Sequence, residues 1–274
     1  MSEKKTVVPG SPWQLKMFSR SLKKKMKVTA LARHLRALAG QKCLLVTCGD
    51  NNGAINFHLR RLGGTWTWAD FEPQGIPGMA ELLGEPVLAL ERATGRLPFA
   101  DGSFDVAVSI DVHEHLADPL PVTRELARVT RPGGRVIVTT PNGNEKKLAV
   151  RIKKAIGMDA TAYGHFRTGF DVADLRQLTA AAGLTFRRSS SYARFFTEML
   201  ELAINFLYVK VLARKSRAPV EAGTIAPVNR DQLEAVKKSY RLYALIYPVF
   251  WLVSRLDYLL FFTRGYAVVV ETSR

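Results

Sequence analysis

Four side chains able to do chemistry stand almost together in this sequence: Asp111, His113, Glu114 and His115. They follow the apolar run Phe104–Ile110. The two imidazoles are two residues apart, so they share one side of an extended segment. An imidazole can take a proton near neutral pH. His113 is therefore a candidate general base, whereas Glu114-His115 reads as a framework pair anchoring the next helix. A second cluster is Tyr163-Gly164-His165-Phe166-Arg167. There His165 is another candidate base, and the Arg167 fork suits an anion. A third group is Cys48, Gly49, Asp50 and Gly53, with Asp70 and Phe71 some twenty residues on. Glycine lets a ligand come close to the backbone, and a strand-end carboxylate can accept from ribose hydroxyls. This pattern serves an adenosine-bearing cofactor and a dinucleotide equally well. His34 and His58 fall on helices and are expected at the surface. No His, Cys or carboxylate group shows metal-ligand spacing, so no metal is expected.

Short strands and helices alternate around these residues. Cys43–Val46 reads as a buried strand, Gly49–Gly53 as a tight loop, and 54–62 as a helix stopped by Gly63-Gly64. Strands follow at 65–69, 86–90, 104–110 and 135–140, with a helix at 76–84. Asp118-Pro119 opens another helix that runs to about Arg131. Asp171 caps a helix ending near Gly183, and 184–189 and 265–272 read as late strands. Alternation at this spacing predicts a doubly wound parallel sheet with helices on both faces. About 75 residues separate the late strands, far more than a hairpin needs, so that stretch reads as an insertion. The predicted organisation is a basic amphipathic segment at 1–40, a Rossmann-like domain at 41–192, a helical insertion at 193–263 and a last strand at 264–274.

The run Leu97-Pro98-Phe99-Ala100-Asp101-Gly102-Ser103-Phe104-Asp105 resembles a signature of class I S-adenosylmethionine (SAM)-dependent methyltransferases of the type 11 kind. So do Glu114-His115-Leu116, Glu125-Leu126, Arg128-Val129 and Arg131-Pro132-Gly133-Gly134. Order and spacing agree over about 100 residues. The resemblance implies a seven-stranded Rossmann-like sheet with its last strand antiparallel, SAM as cofactor, and methyl transfer as the activity. Cofactor contacts are then expected from Cys48, Gly49, Asp50, Gly53, Asp70, Phe71, Leu97 and Asp111, with Asp50 facing the SAM ammonium. Three positions depart from the pattern. Leu45 stands at the usual acid, Thr47 at the first glycine, and Ala93 at the acid near the adenine amine.

Lys and Arg number 40 against 24 Asp and Glu, a net charge of +16. A balance this basic favours a polyanionic partner. Residues 193–213 carry Phe195, Met199, Leu202, Phe206 and Val209 at helical spacing, followed by the basic cluster 214–217. Residues 239–262 are rich in Tyr, Phe, Leu and Trp but hold Pro248, Arg255 and Asp257. A spanning helix is not expected there, whereas a helix lying in an anionic membrane surface fits. The segment 13–39 can share that surface. A lid or dimer contact is the plainer alternative for both stretches. The aromatics cluster with aliphatics and no RNA-binding module is visible, so lipid is favoured over nucleic acid. The expected acceptor is a small, lipophilic or membrane-associated molecule. RNA methylation and a non-catalytic SAM-fold role are the alternatives. Cys43 and Cys48 read as reduced core residues. With no signal-type segment at the start, a cytoplasmic protein is expected, peripheral at the membrane's inner face.

Overall fold

The computed structural model describes residues 12–49, 51–92, 94–207 and 230–274. The expectations for Asp50, Ala93, Val209 and the cluster 214–217 lie outside the described residues. Seven strands form one sheet: β1 (Lys42–Thr47), β2 (Thr65–Asp70), β3 (Val87–Ala89), β4 (Phe104–Ile110), β5 (Thr130–Pro141), β6 (Thr185–Tyr192) and β7 (Ala267–Ser273). Their spatial order is β3-β2-β1-β4-β5-β7-β6. Strands β1 to β5 run parallel, and β7 runs antiparallel to both β5 and β6. This is the seven-stranded Rossmann-like fold that the resemblance implied. The chain winds outward in both directions from the β1–β4 boundary, where Thr47 pairs with Ile110. Such a switch point leaves a crevice at the carboxyl ends of the strands.

The central strands are apolar on both faces because helices cover both. Leu44, Val46, Ala107, Val136 and Val138 face α5 (Leu120–Val129) and α7 (Val172–Ala181). Cys43, Leu45, Val106, Val108 and Ile137 face the other way. On that side lie α1 (Trp13–Ser19), α2 (Leu22–His34) and α3 (Ala54–Arg60). The apolar positions of the basic N-terminal segment, Phe18, Ala30, Leu31 and Leu35, are thus buried against the sheet. Both cysteines are free and buried. His34 is not at the surface: its Nδ1 lies 2.8 Å from Glu271 and its Nε2 2.8 Å from Ser190. The apolar stripe of α2 turns inward and carries His34 with it, which a single-helix pattern does not disclose. His58 stacks on Phe18 at 4.1 Å and is partly covered.

Helix α4 (Ile76–Leu83) leads to β3, and α6 (Leu148–Ala155) follows β5. Between β6 and β7 come α8 (Phe195–Phe206) and α9 (Arg230–Ser254), then a 3-10 turn at Arg255–Leu260. Asp257 lies buried inside the aromatic run and caps α8, accepting from the amides of Arg194 at 2.7 Å and Phe196 at 2.8 Å. Buried Glu198 on α8 pairs with Lys23 of α2 at 2.9 Å and with Lys153 of α6. The two ammonium groups hold its carboxyl down at about 2 despite burial. One side of α9 meets the N-terminal helices, where Tyr240 donates to the Lys16 carbonyl and Tyr243 to that of Arg20. Its other side leaves Leu242, Leu245, Val249 and Leu252 exposed. Among the described residues, no helix is long and apolar enough to cross a membrane.

Candidate active site

The motif that carries the resemblance is mostly framework. The Leu97 amide donates to Glu125 at 2.9 Å. Arg128 donates to the carbonyls of Leu97 at 3.0 Å and Phe99 at 2.9 Å, and its guanidinium pairs with Asp101 and Glu125. These bonds tie the approach to β4 onto α5, so β4 ends at a fixed height beside β1. Leu97 and Phe71 are buried in the core beneath the cleft.

The loop after β1 departs from the glycine pattern and is built by asparagines instead. Asn51 Nδ2 donates to Thr47 Oγ1 at 3.2 Å and to Asn56 Oδ1 at 2.8 Å. Its Oδ1 accepts from the Gly53 amide at 3.1 Å, and Asn52 accepts from the Ala54 amide at 3.3 Å. Gly49 has φ +70°, and a Cβ there would lie 3.2 Å from Glu72 Cγ. Gly53 has φ +88° and starts α3, with no room for a Cβ against the Met79 backbone at 3.0 Å. Asp70 sits at the end of β2 as expected but faces inward. Its carboxylate accepts from Thr47, from the Gly49 amide at 3.1 Å and from the Glu72 amide at 2.7 Å. Burial pushes its pKa up to about 6 against the pull of those donors. The carboxylate nearer the rim is Glu72, paired with Arg92 at 2.6 Å, while Arg92 also donates to Cys48 Sγ at 3.1 Å.

A cavity of about 990 Å³ opens from this loop. Thr47, Cys48 and Gly49 line one end, and Asp111, His115 and His165 line its floor. Apolar side chains of the N-terminal helices, α8 and α9 line the rest, among them Phe18, Ile204, Ile246 and Phe250. Asp111 has φ 50° and is bound by Lys27, which reaches down from α2. Nothing in the sequence pointed to Lys27, because its role depends on α2 crossing the strand ends.

The two base candidates are placed differently. His113 is fully buried and does not line the cavity. Thr123 gives its own proton to the Pro119 carbonyl at 2.7 Å, so it accepts from His113 Nε2 at 3.1 Å. Nδ1 then takes the Ser109 hydroxyl at 3.3 Å. Both ring nitrogens are engaged, and burial pulls the pKa down to about 4. His165 does reach the cavity, its ring centroid 4.4 Å from that of His115. Burial lowers His115 to about 4 and His165 to about 3, so both are uncharged. Arg167 also lines the cavity, but its guanidinium is engaged, donating to the Ala117 carbonyl at 2.8 Å and lying over Phe170.

The architecture and the strand-end cleft define the class I methyltransferase fold. A family described as "Methyltransferase domain" matches residues 44–138 of this chain. The ubiquinone/menaquinone biosynthesis C-methyltransferase UbiE of Bdellovibrio bacteriovorus is 34% identical over 112 residues, 39% of this chain and 47% of that protein. A ubiquinone biosynthesis O-methyltransferase of Cereibacter sphaeroides is 33% identical over 116 residues, 41% of this chain and 46% of that one. The match spans about half the length of these curated relatives. Among solved structures, a putative methyltransferase bound to the Haloferax volcanii Trm112 activator superposes with TM-score 0.56 at 18% identity, covering 95% and 93% of the two chains. The [4+2]-cyclase SpnF superposes with TM-score 0.54 at 16% identity, covering 97% and 98%. These likenesses concern the fold, and a fold does not fix a reaction.

The loop fits SAM at its amino-acid end. Gly49 has a bare backbone facing the cavity, and the cavity begins there. The Glu72–Arg92 pair lies next to Cys48.

Proposed function

We propose that this protein is a SAM-dependent methyltransferase acting on a small lipophilic acceptor that bears a hydroxyl and reaches the site from a membrane surface. The observation that carries this reading is the continuity of the cavity from the glycine loop to the aromatic helices. When bound, SAM supplies an electrophilic methyl group on a sulfonium. The chain's own part is to hold and align the two reactants and to keep water out. Gly49 and the asparagine-built turn would hold the cofactor's amino-acid end, and Glu72 its ribose side. The apolar walls suit a hydrocarbon tail. A hydroxyl acceptor must lose a proton, and the uncharged His115 and His165, which line the cavity, would assist that loss. Both quinone-pathway relatives support a lipophilic acceptor, and the O-methyltransferase supports a hydroxyl on it.

The outer face of α9 and the turn after it support the membrane side of the reading. Leu245, Phe261 and Phe262 are 76%, 77% and 74% exposed. Trp251 and Tyr258 lie among them beside Arg255, a mixture suited to the headgroup zone.

The test uses the purified full chain, methyl-labelled SAM, and three acceptor pools: vesicles carrying a phenolic isoprenoid lipid, the same vesicles without it, and total RNA. Label extracted with the phenolic lipid supports the reading. Label in RNA overturns the acceptor, and no transfer with no binding of S-adenosylhomocysteine overturns the enzyme.

A further inference from the structure

The floor of the cavity holds a group of side chains with the makings of a metal site. Glu114 and His115 are neighbours in the 3-10 turn His113–His115 after β4, and His165 comes from a loop about fifty residues later. One carboxylate oxygen and one nitrogen from each imidazole all lie within 4.8 Å of one another. Ligands around a tetrahedral zinc stand about 3.4 Å apart, so closure by up to ~1.4 Å at the widest gap brings the three into bonding range.

Glu114 supplies the second observation. It is 0% exposed, and neither of its carboxylate oxygens has a hydrogen-bond partner. A buried carboxylate without donors is costly, and such a group calls for a cation or a proton. The nearby ammonium groups are engaged elsewhere, Lys27 with Asp111 and Lys23 with Glu198. The meeting of turn and loop is built by backbone bonds. The Phe166 amide donates to the Glu114 carbonyl at 2.9 Å, and Arg167 to that of Ala117 at 2.8 Å.

We infer that Glu114, His115 and His165 form a divalent-cation site with an open coordination position facing the acceptor chamber. All three residues line that chamber. Two imidazoles and one carboxylate suit zinc, manganese or iron(II) better than calcium, which prefers oxygen ligands throughout. Three protein ligands with a vacant fourth position are the arrangement of catalytic rather than structural sites. Resting on the methyltransferase reading above, the cation would hold the acceptor's hydroxyl oxygen and lower that hydroxyl's pKa. This reverses the expectation drawn from sequence spacing, because the ligands come from segments that only the fold brings together.

The experiment takes the tag-free full chain, strips it with a chelator, and titrates zinc and manganese by calorimetry and cobalt(II) by visible absorption. His165→Ala and Glu114→Gln are measured in parallel, with S-adenosylhomocysteine binding as an independent readout. The expected result is one equivalent of metal, a cobalt absorption band, and at least ~tenfold weaker binding in each variant, with S-adenosylhomocysteine still bound. His165→Ala carries the test alone if Glu114→Gln does not fold. Absence of metal binding by the stripped protein, or variants that bind metal like the wild type, overturns the site. Loss of S-adenosylhomocysteine binding by the wild type overturns the methyltransferase reading and leaves the metal result standing by itself.

Discussion

At the scale of residues, the site separates side chains that hold the loop from side chains that face the chamber. Gly49 belongs to the loop and also meets the cavity. Its left-handed backbone and the nearby Glu72 Cγ both oppose a larger residue. Gly49→Ala should lower stability by about 1 kcal/mol and weaken S-adenosylhomocysteine by roughly tenfold, a difference of ~1.4 kcal/mol. Thermal unfolding and calorimetry check the two effects separately. His165→Ala should depress turnover of a hydroxyl acceptor far more than it changes the KM for SAM, because His165 lies on the chamber floor away from the glycine loop. Steady-state kinetics with each substrate varied in turn would show this, and equal loss in both KM values would contradict it. His113 shows the limit of a spacing argument. Its position two residues from His115 was visible, but its enclosure by Ser109, Thr123 and Phe170 depends on α5 and on the segment leading into α7.

At the scale of elements, two polar clusters lock helices to the sheet and to each other. Arg128 joins α5 to the approach of β4 through two carbonyls and Asp101, and Glu125 one turn back on the same helix holds its guanidinium. Arg128→Ala should cost about 2 kcal/mol, in the range for hydrogen bonds to charged partners, as read by urea unfolding. Glu198 joins α8 to α2 and α6. Its folded pKa of about 2 lies below its ordinary 4.5. The deprotonated form is therefore favoured by folding, and its contribution is complete above about pH 4.5 and fades as pH falls toward 2. That contribution is about 3 kcal/mol. Glu198→Gln should flatten the loss of stability between those pH values, measured as unfolding midpoints across the range. A wild-type curve with no slope there would count against the ion triad.

At the scale of the whole molecule, a net charge of +16 accompanies an exposed apolar stripe on α9 and the turn after it. Both favour an anionic lipid surface, the charge by attraction that falls with salt and the stripe by burial in the headgroup region. Binding to anionic vesicles should therefore weaken several-fold between low and high salt. Leu245→Ser with Phe262→Ser should weaken it by a further hundredfold or more, since the two side chains together contribute about 3–6 kcal/mol when buried, while the unfolding temperature stays close to wild type. Vesicle sedimentation against salt gives both numbers, and a double variant that sediments like the wild type would locate the contact elsewhere.

The sequence by itself determined the sheet and its cleft. Short β-rich runs between capped helices are local signals, and the bonds of Leu97, Glu125 and Arg128 are close enough in sequence to recur as a motif. It also placed Gly49, Gly53 and Asp70 at strand and loop ends. It did not reveal that Thr47 and two asparagines replace the missing glycines by side-chain bonds, nor that Asp70 faces inward. The tertiary structure alone decided which residues meet across the chamber. Lys27 on Asp111, Glu198 between two lysines, and Glu114 with His115 and His165 each join segments tens of residues apart. No period or spacing along one chain records such meetings, because they are set by helix crossings over the strand ends.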